Sequence, residues 1–146
     1  MMLINLNTLK FSKSFSGKKW QKDSTIKADS AKTHFANFNV IAAEPGLLTS
    51  YQIETVRRFL RKALKKKALF VIKAAVTTPV TKKPNDVRLG RGKGDMKCFA
   101  AVIKKGTIIF EIYTNNIAFV SLILPQIFTK LSFKSFIFCK HKRWII

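Results

Sequence analysis

Three glycines, Gly90, Gly92 and Gly94, alternate with two cations, Arg91 and Lys93, near the end of the stretch Pro84–Asp95, and Arg88 stands two residues before the first of them. Glycine lets the backbone take positive φ and approach another molecule closely, at an entropic cost. A loop that accepts that cost three times and fills the gaps with cations suits contact with an anion at short range. Its spacing excludes two phosphate-binding devices. A P-loop needs G-x-x-x-x-G-K-[ST] between a strand and a helix. Aligning Gly92–Lys93 with its G-K puts Val87 at the first glycine and Gly94 at the magnesium-binding hydroxyl. The dinucleotide fingerprint G-x-G-x-x-G fails as well, because the spacing here is G-x-G-x-G and a strand pattern follows.

Catalytic chemistry has little material. No serine–histidine–acid set and no carboxylate pair stands out, so no enzymatic activity, metal or cofactor is expected. Cys98 and Cys139 form no CxxC pair, and a four-ligand zinc site would need both of them plus His34 and His141 from scattered positions. Two buried or half-buried thiols are the simpler reading.

The charge balance points outward. Lys and Arg number 28 against 7 Asp and Glu, a net charge of +21 on 146 residues. Such an excess repels itself in the folded state unless an anionic partner neutralises it, which leaves nucleic acid or an anionic membrane surface. A hydrophobic fraction of 47% argues against a disordered basic tail. The length suits one domain with a modest core. The longest apolar run, Ile117 to Phe128, is interrupted by Pro125 and Gln126 and is too short to span a bilayer. The start "MMLINLNTLKF" lacks the basic and apolar regions of a signal peptide. The chain before Asp23 is free of acid and contains lysine and serine, as a mitochondrial presequence would, but no arginine precedes Arg57.

Three regions position these residues. Residues 1–33 read as an extended basic arm, with Lys10, Lys13, Lys18 and Lys19 scattered without a sustained period. Residues 34–140 carry the pattern of a compact α+β domain, and 141–146 form a basic and apolar tail. The clearest element is a helix after Gly46. Thr49 and Gln52 have capping-box spacing, with Glu54 expected near the positive end of the helix dipole. Ile53, Val56, Phe59, Leu60, Ala63 and Leu64 form one stripe, while Arg57, Arg58, Arg61, Lys62, Lys65 and Lys66 fill the other side. A merely solvated face would carry mixed signs and ion pairs, so this face is expected to contact phosphates.

Further along, Ala68 to Val76 reads as a mostly buried strand. Thr77 to Pro84 reads as a turn-rich segment, limited by Pro79 and Pro84 and carrying Lys82 and Lys83. "MKCFAAVIKKG" and "TIIFEIY" read as strands joined by a tight turn at Lys104–Gly106. A helix is expected from Asn116 to about Lys130, kinked or broken at Pro125. "SFKSFIFCKHK" supplies a last strand. Together these elements imply an antiparallel β-sheet sandwich with two packed helices.

At this point the residues resemble a known family, that of large-subunit ribosomal protein sixteen of bacterial and organellar type. Its helix start LT-x-x-Q-I-E-x-x-R-R is matched by Leu48, Thr49, Gln52, Ile53, Glu54, Arg57 and Arg58. Its P-x-T-x-K-P segment is matched by Pro79, Thr81, Lys83 and Pro84, and its V-R-x-G-x-G-K-G loop by Val87, Arg88, Gly90, Gly92, Lys93 and Gly94. Gly106 and Glu111 match its G-x-x-x-x-E. The resemblance implies a structural component of the large ribosomal subunit that binds large-subunit rRNA near the central protuberance and supports assembly. The glycine loop would lie near transfer RNA beside the peptidyl transferase centre.

The resemblance places Arg57, Arg58 and Arg61 on an RNA-facing helix, and Arg88, Arg91 and Lys93 in the loop. It further implies contacts with neighbouring large-subunit proteins, with no homo-oligomer and no membrane span. Two departures stand out. Glu44–Pro45–Gly46 replaces a Gly-Arg-Gly turn of the family, and the C-terminal third is unusually apolar, with Phe119, Phe128, Phe133, Phe136 and Phe138. Abundant Phe, Ile, Lys and Asn suggest an A+T-rich organellar genome, mitochondrial ahead of plastid, and the extra apolar surface is expected to meet organelle-specific neighbours.

Two other classes remain. A membrane-surface protein would use the cationic helix, but Trp20 and Trp144 lie far from it and the loop stays unexplained. An RNA-binding protein or RNA chaperone outside the ribosome is the nearer alternative.

Overall fold

The computed structural model describes residues 13–15, 36–65, 67–88, 90, 92–114 and 117–139, the side chains of 117 and 119–121 excepted. Lys10, Lys18, Lys19, Lys66, Arg91, His34, His141, both tryptophans and the 141–146 tail lie outside the described residues.

The chain runs β1 (Phe38–Ala42), β2 (Gly46–Thr49), α1 (Ser50–Leu64), β3 (Leu69–Ile72), β4 (Thr78–Lys82), β5 (Asp95–Ile103), β6 (Ile108–Tyr113), α2 (Ile117–Phe128) and β7 (Ser135–Cys139). The strands form two sheets, ordered β3-β6-β1-β7 and β2-β5-β4, with antiparallel pairing throughout. The α+β class, the antiparallel sheets and the two helices are as the sequence implied.

β1 shows why one central element escaped the periodic pattern. All five residues of FNVIA are buried, so the strand has no polar face to alternate with its apolar one. Its register sets Phe38 between Ile112 of β6 and Cys139 of β7, and Val40 between Phe110 and Ile137. Around this strand gathers a single core. It takes in Ile53, Val56, Leu60 and Leu64 of α1, Leu48 of β2, Phe99 and Ile103 of β5, and Ile123, Leu124 and Ile127 of α2. The apolar stripe of α1 therefore packs inward as its spacing requires, with Phe59 and Ala63 half-buried at its margin.

Four expectations are corrected. The strand expected over Ala68 to Val76 is only Leu69–Ile72. It is an edge strand whose Leu69 and Val71 are 73% and 51% exposed, because only one face of an edge strand meets the core. The segment expected as turns contains β4, with Pro79 inside it, buried and opposite Phe99. Proline is accommodated because β4 is the outer strand of its sheet, where a missing N–H interrupts no ladder on the open side.

β5 and β6 are joined by the expected turn, with Gly106 at φ 83°, but they do not pair with each other. The turn carries the chain from one sheet to the other and docks on β1, with Gly106 N donating to Ala42 O at 2.8 Å and Ala42 N to Thr107 O at 3.0 Å. Finally, α2 does not break at Pro125 but continues to Phe128.

The apolar C-terminal third is partly explained by the same core. Phe128, Leu131 and Phe133 pack against it. A Cβ on Gly46 would sit 2.5 Å from the Phe133 ring, so Gly46 is the space that this ring occupies. Ser132 Oγ donates to Leu47 O at 2.9 Å, and Lys134 pairs with Glu44 at 3.6 Å. The Glu44–Pro45–Gly46 departure is thus fitted to the Phe133 region of this chain.

Candidate nucleic-acid interface

The helix face begins with its cap. Gln52 N donates to Thr49 Oγ1 at 3.3 Å and Thr49 N donates back to Gln52 Oε1 at 2.9 Å, the reciprocal pair that the spacing predicted. This fixes where α1 starts and which residues lie opposite its buried stripe.

Those residues are not equally available. Glu54 sits beyond the first turn, so its partner is not the helix dipole but two of the expected phosphate ligands. Arg57 grips it with Nε and Nη2, both at 2.7 Å, and Arg58 Nε adds a third bond at 2.9 Å. The Arg57 hydrogen bonds, with help from Arg58 and against partial burial, hold the Glu54 carboxyl down to about 2. The same bonds raise Arg57 above its ordinary value. An i to i+3 and i to i+4 acid–base cluster was legible in the spacing, yet the lack of further acids nearby hid it.

Arg61, Lys62 and Lys65 are exposed and, among the described residues, pair with no acid. Lys65 also closes the helix, its N–H donating to Arg61 O at 3.1 Å, with φ 49° in a region that favours glycine.

The glycine loop is the connection of the β4–β5 hairpin, and its three glycines have two different reasons. Gly90 and Gly92 take φ 110° and 74°, with nothing within 4 Å of an added Cβ. They are glycines for conformation. Gly94 has no such φ, but its Cβ would meet Lys82 C, Lys82 O and Lys83 N at 2.7 Å. It is glycine for space, because the two arms of the hairpin touch at this neck.

The loop cations divide as the helix cations do. Lys83 Nζ donates to Gly90 O, tying the loop across itself. Lys93 Nζ donates to Ser14 O and lies 4.8 Å from the centroid of the Phe15 ring. Lys13 Nζ returns to Lys93 O at 3.3 Å and to Asp95 Oδ1 at 3.4 Å. Arg88 and Lys82 are exposed. Of the predicted site residues, then, Lys13, Lys83 and Lys93 are joined in one neighbourhood, while Arg88 and Lys82 face solvent. The docking of Lys13–Phe15 on the loop had no signature in the sequence.

The helix and the loop share a strand. The cap residue Thr49 lies in register with Ala100 of β5, and the loop ends where β5 begins at Asp95. Five residues of strand separate the two points, about 17 Å.

Three other residues weighed in the sequence are placed within the fold. Glu111 is buried on β6 with Lys73 Nζ at 3.5 Å, so its charge is compensated within the fold. Cys98 and Cys139 are free thiols, the second buried. No described helix is long and apolar enough to cross a membrane.

Comparison with known proteins gives a family match. Residues 9–138 match the family described as "Ribosomal protein L16p/L10e". The chain is 38% identical over 99 residues to the large ribosomal subunit protein uL16 of Sulfurihydrogenibium sp., covering 64% of this chain and 72% of that one. It is 45% identical over 80 residues to the uL16 protein of Aquifex aeolicus, covering 55% and 56%. With the uL16 protein of Buchnera aphidicola the identity is 36% over 85 residues, 58% of this chain and 62% of that one. The matched part thus spans between about half and three quarters of these relatives' own lengths.

Proposed function

The chain belongs to the ribosomal protein L16p/L10e family, and on that premise we propose that it is a non-enzymatic structural component of the large ribosomal subunit. It binds large-subunit rRNA near the central protuberance and the peptidyl transferase region, and it supports translation and subunit assembly. The observation that carries this reading is the set of cations left free to meet phosphate. Arg61, Lys62 and Lys65 lie on the outer side of α1, with Lys82 at the neck of the hairpin and Arg88 in its loop, all on elements anchored to β5 and its sheet. A polyanion wrapped against these elements neutralises charge that the fold itself does not. Within that complex Arg88 reaches toward bound transfer RNA, while the helix and the arm hold rRNA. The Phe-, Ile-, Lys- and Asn-rich composition favours the mitochondrial ribosome as the location.

The test is sedimentation of ribosomes in high salt, from whole cells and from isolated mitochondria, with mass spectrometry of each fraction. Retention of the chain on the large subunit is the expected result. Recovery in ribosome-free fractions at every salt concentration would instead favour an RNA-binding protein acting outside the ribosome.

A further inference from the structure

Phe15 is 86% exposed beside the glycine loop. Isolated exposed apolar residues are ordinary; the surroundings of this one are not. The Lys93 ammonium stands 4.8 Å from its ring centroid and donates to Ser14 O. Lys13 Nζ holds Lys93 O and the Asp95 carboxylate. These bonds join residues 79 to 82 apart in sequence, so the arm segment and the start of β5 form one piece. The result is an open aromatic ring, with the Lys93 ammonium beside it and Lys13 bonded to the start of β5, at the base of a basic hairpin.

We propose that Phe15 is a stacking platform for an unpaired nucleobase, with the Lys13 and Lys93 bonds holding the segment that carries the ring against the start of β5. The proposal rests on the RNA-binding reading above and adds a specific contact to it. Unpaired RNA bases stack on aromatic rings without regard to sequence, because every base has a π-face, and flanking cations follow the backbone. Leucine or valine at the same place would offer apolar area but no such face.

The experiment uses the full-length protein with two probes, a short oligoadenylate and an abasic oligomer of equal length, so that the phosphates are matched. The wild-type chain should bind the base-bearing probe roughly five- to a hundredfold more tightly, the range expected for one stacked base. Phe15→Leu should abolish most of that preference while leaving the salt dependence of binding unchanged, and Phe15→Trp should keep it. Since the ring is exposed, thermal unfolding of Phe15→Leu should match the wild type. Equal binding of both probes by the wild type, or an undiminished preference in Phe15→Leu, would overturn the stacking site and leave the RNA reading intact. Failure to bind either probe would overturn the RNA reading and the stacking site with it. In large subunits carrying Phe15→Leu, chemical footprinting then identifies the source of the base. A newly reactive rRNA nucleotide assigns it to rRNA, a newly reactive nucleotide of bound transfer RNA assigns it there, and no change in either contradicts the proposal.

Discussion

Arg57 and Glu54 form a two-pronged ion pair on α1, Nε to Oε2 and Nη2 to Oε1, each at 2.7 Å. Glu54 therefore acts as a built-in competitor for any phosphate that meets the outer side of the helix, since Arg58 shares the same carboxylate.

Glu54→Gln should release both guanidinium groups. Each one that gains a phosphate contact should steepen the log–log salt dependence of RNA binding by about 0.7 to 0.9. The variant should also lack one acid-sensitive element of stability. The Glu54 carboxyl is held at about 2 in the fold against an ordinary 4.5, so its contribution is present above pH 4.5 and is lost as pH falls toward 2. That contribution is small, because the carboxylate is 41% exposed and solvent screens the pair. Stability curves of wild type and variant should converge across that window. An identical salt slope in the variant would mean that Arg57 and Arg58 stay off the RNA.

Leu60 is fully buried on the inner stripe of the same helix. Leu60→Ala should cost about 2–5 kcal/mol, the range for a leucine deleted from a packed core. Denaturant titration should show a lower midpoint at unchanged m-value, together with poor incorporation into particles. A wild-type midpoint would show that α1 does not pack on the sheet in this way.

The neck of the hairpin separates the two kinds of glycine. Gly92→Ala meets no atom and suffers only an unfavourable φ, on the order of 1–2 kcal/mol. Gly94→Ala would press a methyl group against the Lys82 and Lys83 backbone at 2.7 Å, so the larger loss is expected there. Hydrogen exchange at the amides of β4 and β5 should rise in Gly94→Ala and stay low in Gly92→Ala. The reverse order would be decisive against the neck contact.

Lys93 and Arg88 should no longer be expected to behave alike, because Lys93 is bonded to the arm and Arg88 is exposed. Arg88→Ala should leave large-subunit yield near normal and weaken transfer-RNA binding by at most about 1.5–3 kcal/mol, the value of a charge-assisted hydrogen bond. Lys93→Ala should loosen the arm, visible as faster proteolysis near Ser14. Lost assembly in Arg88→Ala with normal transfer-RNA affinity in the surviving particles would make Arg88 an anchor.

Local patterns determined a good deal on their own. The capping pair Thr49–Gln52, the inward stripe Ile53–Val56–Leu60–Leu64 and the position of the glycine loop depend on neighbours a few residues away, and each was legible from spacing. The separate roles of the three glycines, the pairing of β5 and β6 with different strands and the burial of β1 were not. They depend on which distant strand lies alongside. Gly94 is needed for space because Lys82 passes beside it, and Leu69 is exposed because β3 ends its sheet. The same holds for charge. Sequence showed an excess of cations but not their assignment, and the tertiary structure decided it. Glu54 holds Arg57 and Arg58, the arm holds Lys93, and Arg61, Lys62 and Arg88 remain for a partner. Electrostatic pairing acts over a few ångströms in space, whatever the separation along the chain.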